Sequence, residues 1–140
     1  MKTPIIESVR NYIFSYPDLK EGCLTVDYLG DKPVEYMVET VPCDPIYTQY
    51  VDGDCVKQFL FIFASREYFS ADVNQAIENL SFYEDFESWI WDNNQTGNLP
   101  DMGDGRSPVS IEVLTRGYSF SEDANSARYQ IQLRLLYEED

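Results

Sequence analysis

Apolar and polar positions along this chain follow two rhythms, one helical and one of period two, which divide it into segments. Near the start, Ile6, Val9 and Ile13, with Tyr12 and Tyr16 beside them, recur at the spacing of a helix face. Pro4 suits the first turn of that helix and Pro17 stops it. Residues 24–29 predict a short strand. Residues 34–41 alternate as a second strand, and Gly30-Asp31-Lys32-Pro33 predicts the turn of a hairpin between the two. Pro42 and Pro45 then break the pattern. The stretch through Asp52-Gly53-Asp54 has no period and predicts an excursion, over residues 42–55, that packs by its aromatics.

Next come five large apolar residues in a row, Phe59 to Phe63. The run over 56–64 is far shorter than the roughly 20 residues a membrane helix needs. It fits a short strand buried on both faces, in the middle of a sheet. A helix follows over 71–80, capped by Ser70, with Val73, Ala76, Ile77 and Leu80 on one side. Ser81 and Glu84 have capping-box spacing, so a second helix starts there or the first one bends. Phe82, Phe86 and Trp89, with Tyr83 and Ile90, give it a broad apolar face, and residues 92–108 read as loop. Beyond them Val109, Ile111 and Val113, then Tyr129, Ile131, Leu133, Leu135 and Tyr137, alternate with other residues. This predicts a long antiparallel hairpin over 109–137 about the polar segment 121–126. Together the elements predict an α+β fold: a mixed, mostly antiparallel sheet with helices packed on one face, in one domain over residues 1–140.

A chain of 140 residues buries roughly 68% of its unfolded surface. The N-terminal stretch has no apolar run long enough for a secretory signal, so the expectation is a soluble, unprocessed protein. Cys23, Cys43 and Cys55 are an odd number without a close pair, which fits reduced thiols better than disulfides or zinc.

Charge changes the picture more. The chain carries 25 acids against 10 bases, a formal −15. Phosphate backbones are held by Lys and Arg, so this composition argues against gripping nucleic acid. There is no histidine, which removes the commonest general base and the usual triads. No phosphate-binding glycine loop is present. Asp101, Asp104 and Gly105 have the wrong spacing for a calcium loop, and turn chemistry accounts for them. Among so many acids, carboxylate pairs arise by chance, so a two-acid hydrolase has no specific signal. The aromatics Tyr47, Tyr50, Tyr68, Phe69, Tyr83, Trp89 and Trp91 are candidates for a ligand cage, but core and interface roles explain most of them. No catalytic residue, cofactor or metal ligand is expected.

Three stretches, residues 26–46, 50–90 and 117–137, carry a resemblance over nearly the whole chain. FASREYFS and the ENxxFYEDFxxWI pattern are its most specific parts. They resemble a minor capsid protein family of long-tailed phages and prophages of Gram-positive bacteria, similar in size and layout to tail terminators. The resemblance implies a tail-terminator-like or tail-tube-like fold and a non-enzymatic structural role. It implies a homo-hexameric ring that caps the tail tube and joins it to the head connector in the virion, assembled in the host cytoplasm. The implied partners are sister copies, the tail-tube protein and a head-completion or connector protein. DNA would pass nearby without specific binding, and no membrane is involved. The hairpin would extend a sheet around the ring by strand pairing, and the long segments 42–55 and 92–108 would reach neighbouring rings. The candidate interface residues are Tyr47, Tyr50, Arg116, Tyr118, Arg128, Tyr129, Gln132 and Arg134. The alternatives are a head-completion or neck protein, an acidic DNA mimic that binds a basic host protein, and a small-ligand binding module.

Overall fold

The computed structural model describes residues 4–17, 19, 24–26, 35–51, 53, 55–68, 73–122 and 126–139. In chain order these form α1 (Ile5–Phe14), β1 (Leu24–Val26), β2 (Glu35–Val41), β3 (Ile46–Gln49) and β4 (Cys55–Tyr68). They continue as α2 (Val73–Thr96), β5 (Arg106–Val113), β6 (Tyr118–Glu122) and β7 (Ser126–Glu139). The strands make one sheet with path β1-β2-β4-β7-β5, mixed and mostly antiparallel, as the alternation predicts.

The frame is the β4–β7 pair, in register from Lys57↔Tyr137 to Tyr68↔Ser126. Because β7 holds that edge of β4, β2 and β3 share the other one, pairing with residues 60–66 and 55–57 respectively. Likewise β5 and β6 share the outer edge of β7. The long C-terminal hairpin is therefore present, its outer arm interrupted by residues 114–117. Three expectations change. First, β1 and β2 run parallel, so no hairpin joins them; the stretch 30–33 lies outside the described residues. Second, the segment 42–55 contains β3, a strand whose side chains are exposed rather than packed. Third, α2 is a single helix of 24 residues. The Ser81/Glu84 spacing falls inside it, where the preceding turn already supplies hydrogen-bond partners and no helix start is needed. Its Ser70 cap lies outside the described residues. The helix also takes in residues 92–96, read above as loop. It stops at Gly97, whose positive φ of 78° with the bond from Asn98 N–H to the Asn93 carbonyl (2.9 Å) makes a glycine-terminated helix end.

Strand alternation sorts the side chains. Tyr36 and Val38 of β2, Phe61 and Phe63 of β4, and Ile131, Leu133 and Leu135 of β7 are all buried on the face under the helices. Phe82, Tyr83, Phe86 and Ile90 of α2 press onto them, with Val9, Tyr12, Ile13 and Tyr16 from α1 and beyond. Ring contacts knit this layer: Phe63–Phe86 centroids lie 4.8 Å apart, and Tyr16–Trp89 5.0 Å. On the other face of β4, Leu60 and Ile62 are only half-buried, so the apolar run is central in the sheet but not equally covered on both sides. No helix among the described residues is long and apolar enough to cross a membrane.

The hydroxyl of Tyr83 ties α2 to the central pair. It donates to the Tyr129 carbonyl (3.1 Å), so at 2.6 Å the Ser65 hydroxyl must be the donor to it. Burial pushes the Tyr83 phenol well above its ordinary range, and burial raises Tyr12 and Tyr137 too. A phenol raised on folding stabilises fully below its unfolded pKa of about 10, and that contribution is lost as pH climbs toward the folded value. Urea midpoints are therefore expected to be insensitive to these tyrosines up to about pH 9.5 and to fall steeply above pH 10. A midpoint that rose across that interval would refute the placement of these phenols.

Candidate interaction surface

The face of the sheet opposite the helices carries a ladder of long polar side chains, because even-numbered residues of β7 alternate away from the core. Arg134 forks onto Glu112 of β5 (2.8 and 3.0 Å), its register partner, and lies within 3.5 Å of Gln58. The ring of Tyr47, on β3, covers its guanidinium with 4.9 Å to the centroid. Toward the other end, Arg128 reaches Glu39 of β2 (2.9 Å) and donates to Gln130 (3.0 Å). Gln130 in turn donates to the Tyr118 hydroxyl (2.7 Å). These ion pairs are partly solvated, so each contributes on the order of 0–1 kcal/mol. Their effect is to fix orientation: an amphipathic face on which Leu60 and Ile62 are half-buried, while Met37, Ala64 and Gln130 form a buried row across the sheet.

Five of the expected interface residues, Tyr47, Tyr118, Arg128, Gln132 and Arg134, thus share one face. Gln132 sits between the two clusters, its N–H donating to Thr115 Oγ1 (3.1 Å). Tyr50 is exposed just past β3, at the turn of the β3–β4 hairpin, next to exposed Val51. Arg116 is elsewhere, exposed in the interruption between β5 and β6 and bordering α2. Tyr129 is not on a surface: it is buried and stacked near Tyr83, with ring centroids 6.3 Å apart. It belongs to the core, as its parity with Ile131 and Leu133 requires. Among the described side chains these aromatics do not converge into a cage. Tyr83 and Trp89 join the core, Tyr47 and Tyr50 lie on the β3 side, Trp91 is exposed on α2, and Tyr68 and Phe69 have no described side chains.

The edge of β5 is closed to strand addition at the places that count. The Asn94 side chain, from α2, accepts from the Ile111 N–H (3.0 Å) and donates to the Ile111 carbonyl. Its amide thereby imitates the peptide group of a further strand. Pro108 has no N–H to offer, and the register shifts between Pro108 and Ser110. Sheet extension by this hairpin edge, implied by the resemblance, is thus obstructed along Pro108–Ile111. On the opposite side β3, four exposed residues long, presents the more accessible margin.

Sequence reasoning missed Asn94, because a polar DNNQT tract reads as loop when the stop signal at Gly97 is ignored. It also missed Gly117, whose role appears only when α2 is in place. Among the described residues no three His, Cys, Asp or Glu side chains gather as a metal site needs. No known family model matches this chain, and no curated protein matches it.

Proposed function

We propose that this chain is a non-enzymatic structural subunit of a long-tailed phage, a tail terminator whose ring caps the tail tube and meets the head connector. The observation that carries the reading is the polar and aromatic patch of Tyr47, Glu112, Gln132 and Arg134 on the sheet face opposite α1 and α2, with the exposed strand β3 at its margin. An open polar-and-aromatic patch is suited to another protein surface rather than to an enclosed small molecule. The resemblance of residues 50–90 and 117–137 supports the same role. A tube grows because the top of each ring matches the bottom of the next, and a cap must match on one side only. In this reading Tyr47, Tyr50 and the β3 margin meet the neighbouring copy, since the β5 edge is plugged. Acids lining the lumen repel DNA, so it passes without being held. Copies at −15 also repel one another, and salt relieves this over a screening length of about 10 Å at 0.1 M.

The Tyr47→Ala/Tyr50→Ala variant tests the contact. Both side chains are exposed and only Tyr47 gives up a contact, with Arg134, so the isolated subunit should keep its stability to within about 1 kcal/mol per change. Sedimentation velocity at moderate salt, with the tube protein of the same phage present, should show a ring for the natural chain and none for the variant. Rings of undiminished yield from the variant would remove β3 from the contact.

A further inference from the structure

A groove runs between α2 and the outer arm of the C-terminal hairpin, beside the Asn94–Ile111 contact. Its larger part, about 550 Å³, lies between Glu87, Ser88 and Trp91 on the helix and Ser110, Glu112 and Val113 on the strand. A smaller part of about 190 Å³ continues it past Leu80 and Glu84 toward Arg116. Glu87 borders both. Along the helix wall Ile77, Leu80, Glu84, Glu87 and Trp91 follow at three- and four-residue steps, which places them on one stripe. Its apolar members are unusually open to solvent: Ile77 59%, Leu80 42% and Trp91 67% exposed. This stripe is separate from the one that Phe82, Tyr83, Phe86 and Ile90 turn into the core.

We infer that this groove binds a basic amphipathic helix of a partner protein, its apolar residues meeting Leu80 and Trp91 and its Lys or Arg residues meeting Glu84 and Glu87. Charge selects the occupant. Over Val73–Thr96 the helix carries five acids, Glu78, Glu84, Asp85, Glu87 and Asp92, and no base. Arg116 offsets this only at one end, and Glu112 is already neutralised by Arg134. A second copy is a poor complement. Of this chain's ten bases, Lys57, Arg106, Arg128 and Arg134 are already held in ion pairs, against 25 acids. An extended strand is disfavoured as well, because Asn94 already satisfies both main-chain groups of Ile111. A helix needs no main-chain partner and engages such a stripe through side chains at three- and four-residue steps. The inference rests on the groove's own lining and stands whether or not the chain forms rings.

The probe is a fluorescein-labelled 14-residue Leu/Lys peptide of helical amphipathic pattern, read by fluorescence anisotropy at 150 mM salt. The natural chain should bind it, and the tryptophan emission, to which Trp89 and Trp91 both contribute, should shift to the blue as the groove closes over Trp91. Glu84→Lys/Glu87→Lys should weaken binding at least tenfold, as should Trp91→Ala. A control with the same change in net charge at two exposed acids elsewhere, Asp104→Lys/Glu138→Lys, should weaken it less than threefold. A scrambled peptide of the same composition without the amphipathic pattern should bind at least tenfold more weakly. Equal losses in the two charge variants, equal binding of the scrambled peptide, or no binding at all would each overturn the assignment.

Discussion

Phe63→Ala is expected to lower the stability of the chain by about 3–5 kcal/mol, the range for removing a fully buried aromatic. Phe63 has no exposed surface and sits where both layers meet. Its ring lies against Phe86 at 4.8 Å, stacks near Tyr36 at 5.9 Å, and touches Tyr83 and Phe82 at 6.0 and 6.3 Å. Four of its neighbours are aromatic rings fixed on a strand or a 24-residue helix, so they cannot collapse into the space left behind. The loss is therefore the transfer of the ring plus an unfilled cavity. In thermal unfolding this corresponds to a fall on the order of 10 °C. Ile62→Ala, one residue away on the half-buried face, is the internal comparison and should cost clearly less. If the two variants lost equal stability, the assignment of the helices to one face of the sheet would be wrong.

Gly117→Ala is expected to be nearly as damaging, although it adds only one carbon atom. A Cβ at 117 would stand 2.3 Å from the Cβ of Tyr83 and 2.5 Å from its Cγ. Non-bonded carbons do not approach so closely, so either α2 or the hairpin must move. Overpacking of this kind costs about 1–3 kcal/mol or more, and the rigidity of both partners places this case at the upper end. The collision is with the first atom of the Tyr83 side chain, which every residue except glycine also has. Tyr83→Ala should consequently fail to rescue Gly117→Ala in urea titrations. Restored stability in that double variant would mean that the hairpin does not pass α2 where residues 114–117 interrupt its outer arm.

Much of this arrangement is legible in the residues because period-two alternation is hard to satisfy by accident over a long strand. Tyr129, Ile131, Leu133 and Leu135 share a parity, and that parity is the core. The same rule places Tyr129 inside, so its choice as an interface residue gave too much weight to tyrosine's frequency at interfaces and too little to its position. The extent of α2 is less legible. Ser81 and Glu84 imitate a helix start; Asp92, Gln95 and Thr96 are polar because they face solvent, and Asn93 and Asn94 because they bond Tyr12 and Ile111, not because the helix has ended. The parallel pairing of β1 is not legible at all: three residues, Leu24–Val26, carry no register information, and only β2 beside them supplies a direction. The Arg128–Glu39 and Arg134–Glu112 pairs depend on which strands become neighbours, and hydropathy patterns do not encode that order. The plug of Asn94 on Ile111 needs a helix and an edge strand placed together before either residue looks unusual.

As proposed above, the chain works by fitting protein surfaces, its own and those of a growing tube, with no bond made or broken. Negative-stain imaging of the purified chain with and without the tail-tube protein of the proposed phage tests this most directly. Sixfold rings seated on one end of short tubes are expected, with ring yield rising from low to moderate salt. Isolated particles under every condition, leaving tube ends bare, would contradict it.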